Sequence, residues 1–366
     1  MATVEGLQAT APSRRTQRAA VAATAVRKID SMDSASDAES ESSHSSEYMA
    51  WSATVRHGWT LPCTAAALIA IPALVAEPSR GALCQAAIAL CSCVSFMLVK
   101  RFLAPALLRA LVSSYSDGSL TPKDRYRMSV AVTSMAHVMV SVPLAWRAYN
   151  VPGLWLDEKG DGGYQARVFA SSEESYLMAA VSAGYFLFDA LQCVTHVEEE
   201  GVEMLLHALA SFGVYSFPAV SPFLHSYSSF FLLWEVNGPY LNANLMLQKN
   251  RMTSSFVYPL NAACLVLSWF FVRIWLGSQY CLMFWRDMLR FLDSPPAEAT
   301  AVHSALAYFY LAANTLFLFF NVYFLWMMIQ KIRRFYAEPA GEGEQNKPRR
   351  KRDFLLRPEA PRLHLD

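Results

Sequence analysis

Asp189, His196, Glu203, His207 and Glu235 all fall in or beside one apolar stretch, Tyr185 to Asn250, which reads YFLFDALQCVTHVEEEGVEMLLHALASFGVYSFPAVSPFLHSYSSFFLLWEVNGPYLNANLMLQKN. These residue types suit proton transfer and polar binding: imidazoles that exchange a proton near neutral pH, and carboxylates that orient or charge them. Asp189 and His196 are seven residues apart, as are His196 and Glu203, while Glu203 and His207 are four apart. In a continuous helix such spacings share a face. Gly201 interrupts the run, so Glu203 and His207 are the pair expected on one face. The acids Glu198, Glu199 and Glu200 read as a solvated turn at the mouth of the site. An ionisable group at membrane depth costs at least ~2.5 kcal/mol, so chains that keep several are usually using them. With Asn237 and Asn242 close by, the five point to an intramembrane polar site. A metal held by His196, Glu203 and His207 is sterically conceivable, but none is expected.

Glu235 lies near the middle of its apolar run, too far from either end to reach water. Gly238-Pro239 breaks the helical hydrogen bonding between it and Asn242, and a broken helix at this depth is tolerated where it lines a cavity or is buried in protein. Glu235, Asn237 and Asn242 are therefore expected to face inward. Arg273, in WFFVRIWL, has two readings. Either it is the counter-charge of Glu235 or Asp189, or its helix ends there and the guanidinium reaches the headgroups. His137, Asn314 and Asn321 supply hydrogen bonds, either to the site or between helices.

The elements that must position these residues follow from composition. The chain has 366 residues, 54% hydrophobic and 17% charged, against about a quarter charged in soluble domains. Mean hydropathy is +0.21. Net charge is +1, with 31 basic and 30 acidic residues, so no nucleic-acid partner is implied. The seven cysteines sit in or next to apolar runs and form neither a disulfide framework nor a closed zinc site.

A membrane helix needs about 20 mostly apolar residues. Eight segments qualify: Trp59–Ala76, Gly81–Val99, Met128–Trp146, Ser175–Val194, Met204–Leu224, Tyr227–Leu247, Phe256–Leu276 (with a continuation to Phe284) and His303–Ile329. Trp59–Ala76 contains Pro62 and Pro72, whereas Lys100-Arg101 is a natural stop for Gly81–Val99. Lys100, Arg101, Arg109, Lys123, Arg125 and Arg127 lie between the second and third spans, and Lys249 and Arg251 between the sixth and seventh. The positive-inside rule places both groups, and the basic tail, in the cytosol. Eight spans with both termini cytosolic satisfy that, and put the acidic 148–174 loop on the other side. Residues 1–57, rich in Ser, Ala, Asp and Glu, are expected to be a disordered tail. Their early basic residues faintly resemble a transit peptide, but no apolar core follows them to make a secretory signal. The tail at 336–366, with KPRRKR at 347–352, is expected to be disordered and to attract anionic lipid headgroups.

FDALQCVTHVEEEGVEMLLHALAS resembles the core motif of TLC-domain proteins, in which an aspartate two turns before a His precedes a Glu-Met-Leu-Leu-His-His-like segment. WEVNGPYLN resembles that family's Glu-Leu-Ser-x-Pro-Phe-x-Asn segment at Glu235, Pro239 and Asn242. RYRMSVAVTSMAHVMV resembles its first core helix, with Ser134 and His137, and WFFVRIWL and NVYFLWMMIQKIRR its later ones, with Arg273 and Asn321. The resemblance covers roughly 120–335 and implies an all-α, polytopic membrane protein of about eight transmembrane helices with a six-helix TLC core. An N-terminal hairpin and cytosolic linker occupy 58–119.

The family includes ceramide synthases, which join an acyl-CoA to a sphingoid base, and non-enzymatic members that affect lipid composition. The synthases resemble one another in a His-His pair and a downstream His-Asp-x-x-Asp run. Here the second position of the pair is Ala208, and the later run is His225-Ser-Tyr-Ser-Ser, without either acid. Glu235-to-Asn242 spacing is similar to that of the non-synthase branch, the transmembrane-56-like proteins.

The expected function is therefore lipid homeostasis in the endoplasmic reticulum or a connected membrane. A polar-lined cavity for a lipid would be formed by His137, Asp189, His196, Glu203, His207, Glu235, Asn242, Arg273 and Asn321, with membrane lipids as partners and no cofactor. The alternative is a ceramide-synthase-like N-acyltransferase with acyl-CoA as co-substrate, His207 as base, and Asp189 and Glu235 in support. A non-catalytic trafficking adaptor is the third reading.

Overall fold

The computed structural model describes residues 80–154 and 163–337, and all regular structure among them is helical. Helix α1 is Gly81–Leu111, α2 Pro122–Tyr149, α3 Glu173–Thr195 and α4 Val202–Ser216. A broken segment follows: α5, His225–Leu232, then a 3-10 stretch, Leu233–Asn237, then α6, Gly238–Lys249. Helix α7 is Val257–Asp293 and α8 is Ala301–Ala337.

Five of these, α1, α2, α3, α7 and α8, are long and apolar enough to cross a membrane. The shortest, α3, has 23 residues, about 35 Å of helix against ~30 Å of hydrocarbon. Their outward side chains are those that lipid tolerates: Leu111, Met139, Phe271, Leu282 and Phe319 are all exposed. The protein is an integral, polytopic membrane protein.

Local chemistry sets where the helices start and stop. Thr121 caps α2, its Oγ1 accepting from the Asp124 N–H, with Pro122 in the first turn. Ser172 and Ser175 cap α3 reciprocally. At the other end of α3 the chain turns through His196 and Gly201. Gly201 has φ +92°, a conformation open to glycine at little cost.

Helix α3 is the centre of the bundle, packed against α1, α2 and α4. Ala179, Ala180, Ala183 and Gly184 make its flank small enough for close approach. A Cβ on Gly184 would lie 2.1 Å from the Ala89 carbonyl oxygen. Beside that contact Ser92 Oγ donates to the Val181 carbonyl at 2.8 Å.

Three elements differ from the sequence reading. The span expected at Met204–Leu224 is helical only to Ser216. Pro218 and Pro222 cannot donate to a helical ladder, and residues 217–224 instead form turns that bury Ala219, Val220 and Phe223. These turns close at Leu224, which has φ +62° and donates its N–H to the Val168 carbonyl at 2.7 Å. Lys100-Arg101 does not end a helix: a π-helical stretch, Val99–Leu103, carries α1 through it to Leu111. The Lys100 ammonium is accommodated by the side-chain Oε1 of Gln192 and by the Tyr126 ring, 4.2 Å away. The run beginning at Phe256 likewise continues past Phe284, through a second π-helical stretch, Trp269–Leu276, to Asp293. The first candidate span, Trp59–Ala76, lies outside the described residues, as do residues 1–57, 155–162 and 338–366.

The two ends of the bundle differ in chemistry. At one end Arg127 donates to the Glu199 carbonyl, Lys249 pairs with Asp124 at 2.7 Å, and Ser114 donates to the Lys249 carbonyl. At the other, Arg167 of the short helix Gly163–Phe169 grips Asp287 of α7 through Nε and Nη2 at 2.7 and 3.0 Å. Hydrogen bonding to Asp287 raises the Arg167 pKa above its ordinary value.

Candidate functional site

A pocket with a cavity volume of about 60 Å³ is lined by residues of α3, α4, α5, the 3-10 stretch, α7 and α8. Its polar wall includes His207 and Ser211 from α4, Ser228 from α5, Glu235 from the 3-10 stretch, Arg273 from α7 and Asn314 from α8. The 3-10 stretch matters here because it tightens the chain between α5 and α6, just ahead of Gly238-Pro239. That brings Trp234 and Glu235 to face α7 at the π-helical stretch that carries Arg273.

Arg273 is held on several sides. Nη2 donates to the Trp234 carbonyl at 3.0 Å, Nη1 to Asn321 Oδ1 at 3.2 Å, and the Trp269 ring lies 4.4 Å from the guanidinium carbon. Its distance to a Glu235 carboxylate oxygen is 3.7 Å, an ion pair rather than a hydrogen bond. The helix runs on for many residues beyond it, so Arg273 sits mid-helix, facing Glu235. Trp269 donates its own Nε1–H to the Asn321 carbonyl at 3.0 Å, fixing α8 against α7.

His207 and Glu235 stand differently. The His207 ring packs edge-on to Phe317, 5.4 Å between centroids, and has no hydrogen bond. The Glu235 carboxylate has only the Arg273 contact. Both keep hydrogen-bonding capacity, as does the buried Nε of Arg273, which has no partner. Ser211 follows His207 by one turn on the same face of α4.

Around this polar patch the wall is aromatic: Phe186, Phe231, Phe284 and Phe317. Two tyrosines of the wall cap helix carbonyls, Tyr215 donating to Ser228 at 3.3 Å and Tyr310 to Val214 at 2.7 Å. Tyr227 donates to Asp287, the partner of Arg167, and so connects the pocket wall to the helix at 163–169.

The other expected ligand residues lie elsewhere. His137 is fully buried, stacked on Tyr185 at 3.7 Å, with no hydrogen-bond partner on either ring nitrogen. Asn242 donates to Ser134 at 3.1 Å and ties α6 to α2. Asp189 is part-buried on α3, off the pocket wall. His196 ends α3, contacts Thr195 Oγ1 at 2.8 Å and stacks on Tyr126 at 4.2 Å. Burial lowers the His196 pKa and raises that of Glu200 beside it. Glu203 occupies the first turn of α4 and does not reach the pocket. Among the described residues no cluster of three His, Cys, Asp or Glu is placed to hold a metal ion.

The TLC-domain family model matches residues 127–330. The chain belongs to the TLC-domain family. It is 28% identical over 241 residues to an uncharacterized TLC domain-containing protein of Schizosaccharomyces pombe, covering 65% of this chain and 76% of that one. It is 25% identical over 230 residues to topoisomerase I damage affected protein 4 of Saccharomyces cerevisiae, covering 62% and 78%. All of the pocket's polar residues lie in the TLC domain, whereas α1 precedes it. Within the domain Ala208 is fully buried against Ala190 and Cys193, on the α3 side of α4.

Sequence reasoning did not single out Trp234, Trp269, Tyr227 or Asp287. The tryptophans flank marked motifs but are masked by the general abundance of aromatics. Asp287 does leave a signal, an acid in WRDML just past the expected continuation of the Phe256–Leu276 span to Phe284.

Proposed function

We propose that this TLC-domain protein holds a membrane lipid in the pocket and acts in membrane lipid homeostasis as a member of the transmembrane-56-like branch. The observation that carries this reading is the company of the charges. A desolvated Arg273–Glu235 pair and an unengaged imidazole face an otherwise aromatic pocket in a bundle whose outer surface is apolar. Such groups are expensive in hydrocarbon and are kept where they serve a ligand. The location is the endoplasmic reticulum or a connected membrane. Both termini are cytosolic, on the side of the Lys100, Arg127 and Lys249 end. Anionic headgroups are partners of the basic C-terminal tail.

The second reading, a ceramide-synthase-like N-acyltransferase using acyl-CoA, is favoured by the free imidazole of His207 on the pocket wall. Two features weigh against it: Asp189 is off that wall, and position 208 packs into α3 rather than supplying a second imidazole. Labelled acyl-CoA and a sphingoid base added to the purified protein separate the two. No amide product is the expected result, and turnover abolished by His207→Ala would establish the enzyme. Lipidomics after deletion of the protein should show altered membrane lipid composition. An adaptor would instead show a displaced partner before any lipid change.

A further inference from the structure

The unspent groups of the pocket identify the chemistry of the lipid end they would meet. Arg273 spends one N–H of each Nη on Asn321 and Trp234 and its charge on Glu235, while its Nε is buried without a hydrogen-bond partner. Beside it stand one carboxylate, an acceptor, one imidazole, which offers a single donor and a single acceptor when neutral, and the Ser211 hydroxyl one turn from the imidazole. Charge adds a second constraint. Arg273 and Glu235 together are neutral, so a phosphate, a carboxylate or an ammonium would bring an unbalanced charge into a site walled mainly by aromatic rings. A hydroxyl meets both constraints: it donates to Glu235, accepts from His207, and adds no charge.

We infer that the pocket binds the hydroxyl end of an uncharged lipid, with Glu235 as acceptor, His207 as donor, and hydrocarbon against Phe186, Phe231 and Phe317. This rests on the reading of the pocket as a lipid site and narrows it. Diacylglycerols and sterols share this chemistry.

The test uses the full-length protein in nanodiscs and diazirine-bearing photoprobes: a sterol, a diacylglycerol, a fatty acid and phosphatidylcholine. It also uses the methyl ethers of the two hydroxyl probes. Labelled peptides are mapped by mass spectrometry. The expected result is saturable labelling of α4, the 3-10 stretch or α7 by a hydroxyl probe, weakened about tenfold or more in its methyl ether, which cannot donate to a charged acceptor. Whichever of sterol or diacylglycerol labels at lower concentration is the preferred source. His207→Phe should reduce labelling by the hydroxyl probe, and the ether comparison on the unaltered protein stands even where that variant does not fold. Equal labelling by alcohol and ether, or preferred pocket labelling by fatty acid or phosphatidylcholine, would overturn the inference and leave a lipid site standing. Absence of pocket labelling by every probe would overturn both.

Discussion

Arg273 has its hydrogen-bonding Nη groups and its ion-pair partner inside one shell, so its replacement has an effect that can be stated in advance. Arg273→Ala leaves Glu235 buried without its cation and frees the Trp234 carbonyl and Asn321 Oδ1. Breaking a buried pair from one side typically costs about 3 kcal/mol. We expect a clearly lowered melting temperature in detergent, with most of the loss recovered in the Arg273→Met, Glu235→Leu double variant. A double variant as unstable as the single one would mean that the pair is not what holds these groups. Glu235 and Arg273 were legible in the sequence because charge inside apolar runs is rare. The contacts that fix them were not, because two come from backbone carbonyls or aromatic faces that any span offers.

Helix packing yields a sharper contrast between two glycines. At Gly184 a methyl group would meet the Ala89 backbone, which cannot yield without moving α1. At Gly213 it would meet the Phe309 ring at 2.6 Å, the end of a side chain that can rotate away. Gly184→Ala should therefore destabilise by about 2 kcal/mol, in the range of overpacked cores, and Gly213→Ala by distinctly less. Thermal unfolding of both in the same detergent checks the order, and a reversed order would show that α1 does not press on α3 as described. Most helices here could be read from apolar length alone. The end of α4 could not, since residues 217–224 are as apolar as the helix before them and differ only in two prolines and a left-handed Leu224. The continuation past Lys100 was missed for the opposite reason: a cation looks like a stop until a ring and an amide oxygen are found to receive it.

Across the whole molecule the unequal ends make a prediction about sidedness. With the Lys249 end in the cytosol, a cysteine at Arg251→Cys should react with a membrane-impermeant maleimide only from the cytosolic side. One at Ser294→Cys, beyond α7, should react only from the other. Labelling of both from one side would refute the proposed orientation. The family was readable, because its motifs lie in order along the chain. The partition of the polar residues was not readable. Periodicity places His207 and Glu235 within helices, but only the packed bundle shows that they share a pocket while His137 stacks on Tyr185 elsewhere. The most direct test of the central claim is an experimental density map of the protein in lipid nanodiscs at a resolution that shows side chains. The account predicts elongated, lipid-shaped density in the pocket, with its polar end within hydrogen-bonding distance of His207 and Glu235. A collapsed pocket, or one holding only isolated water peaks, would contradict it.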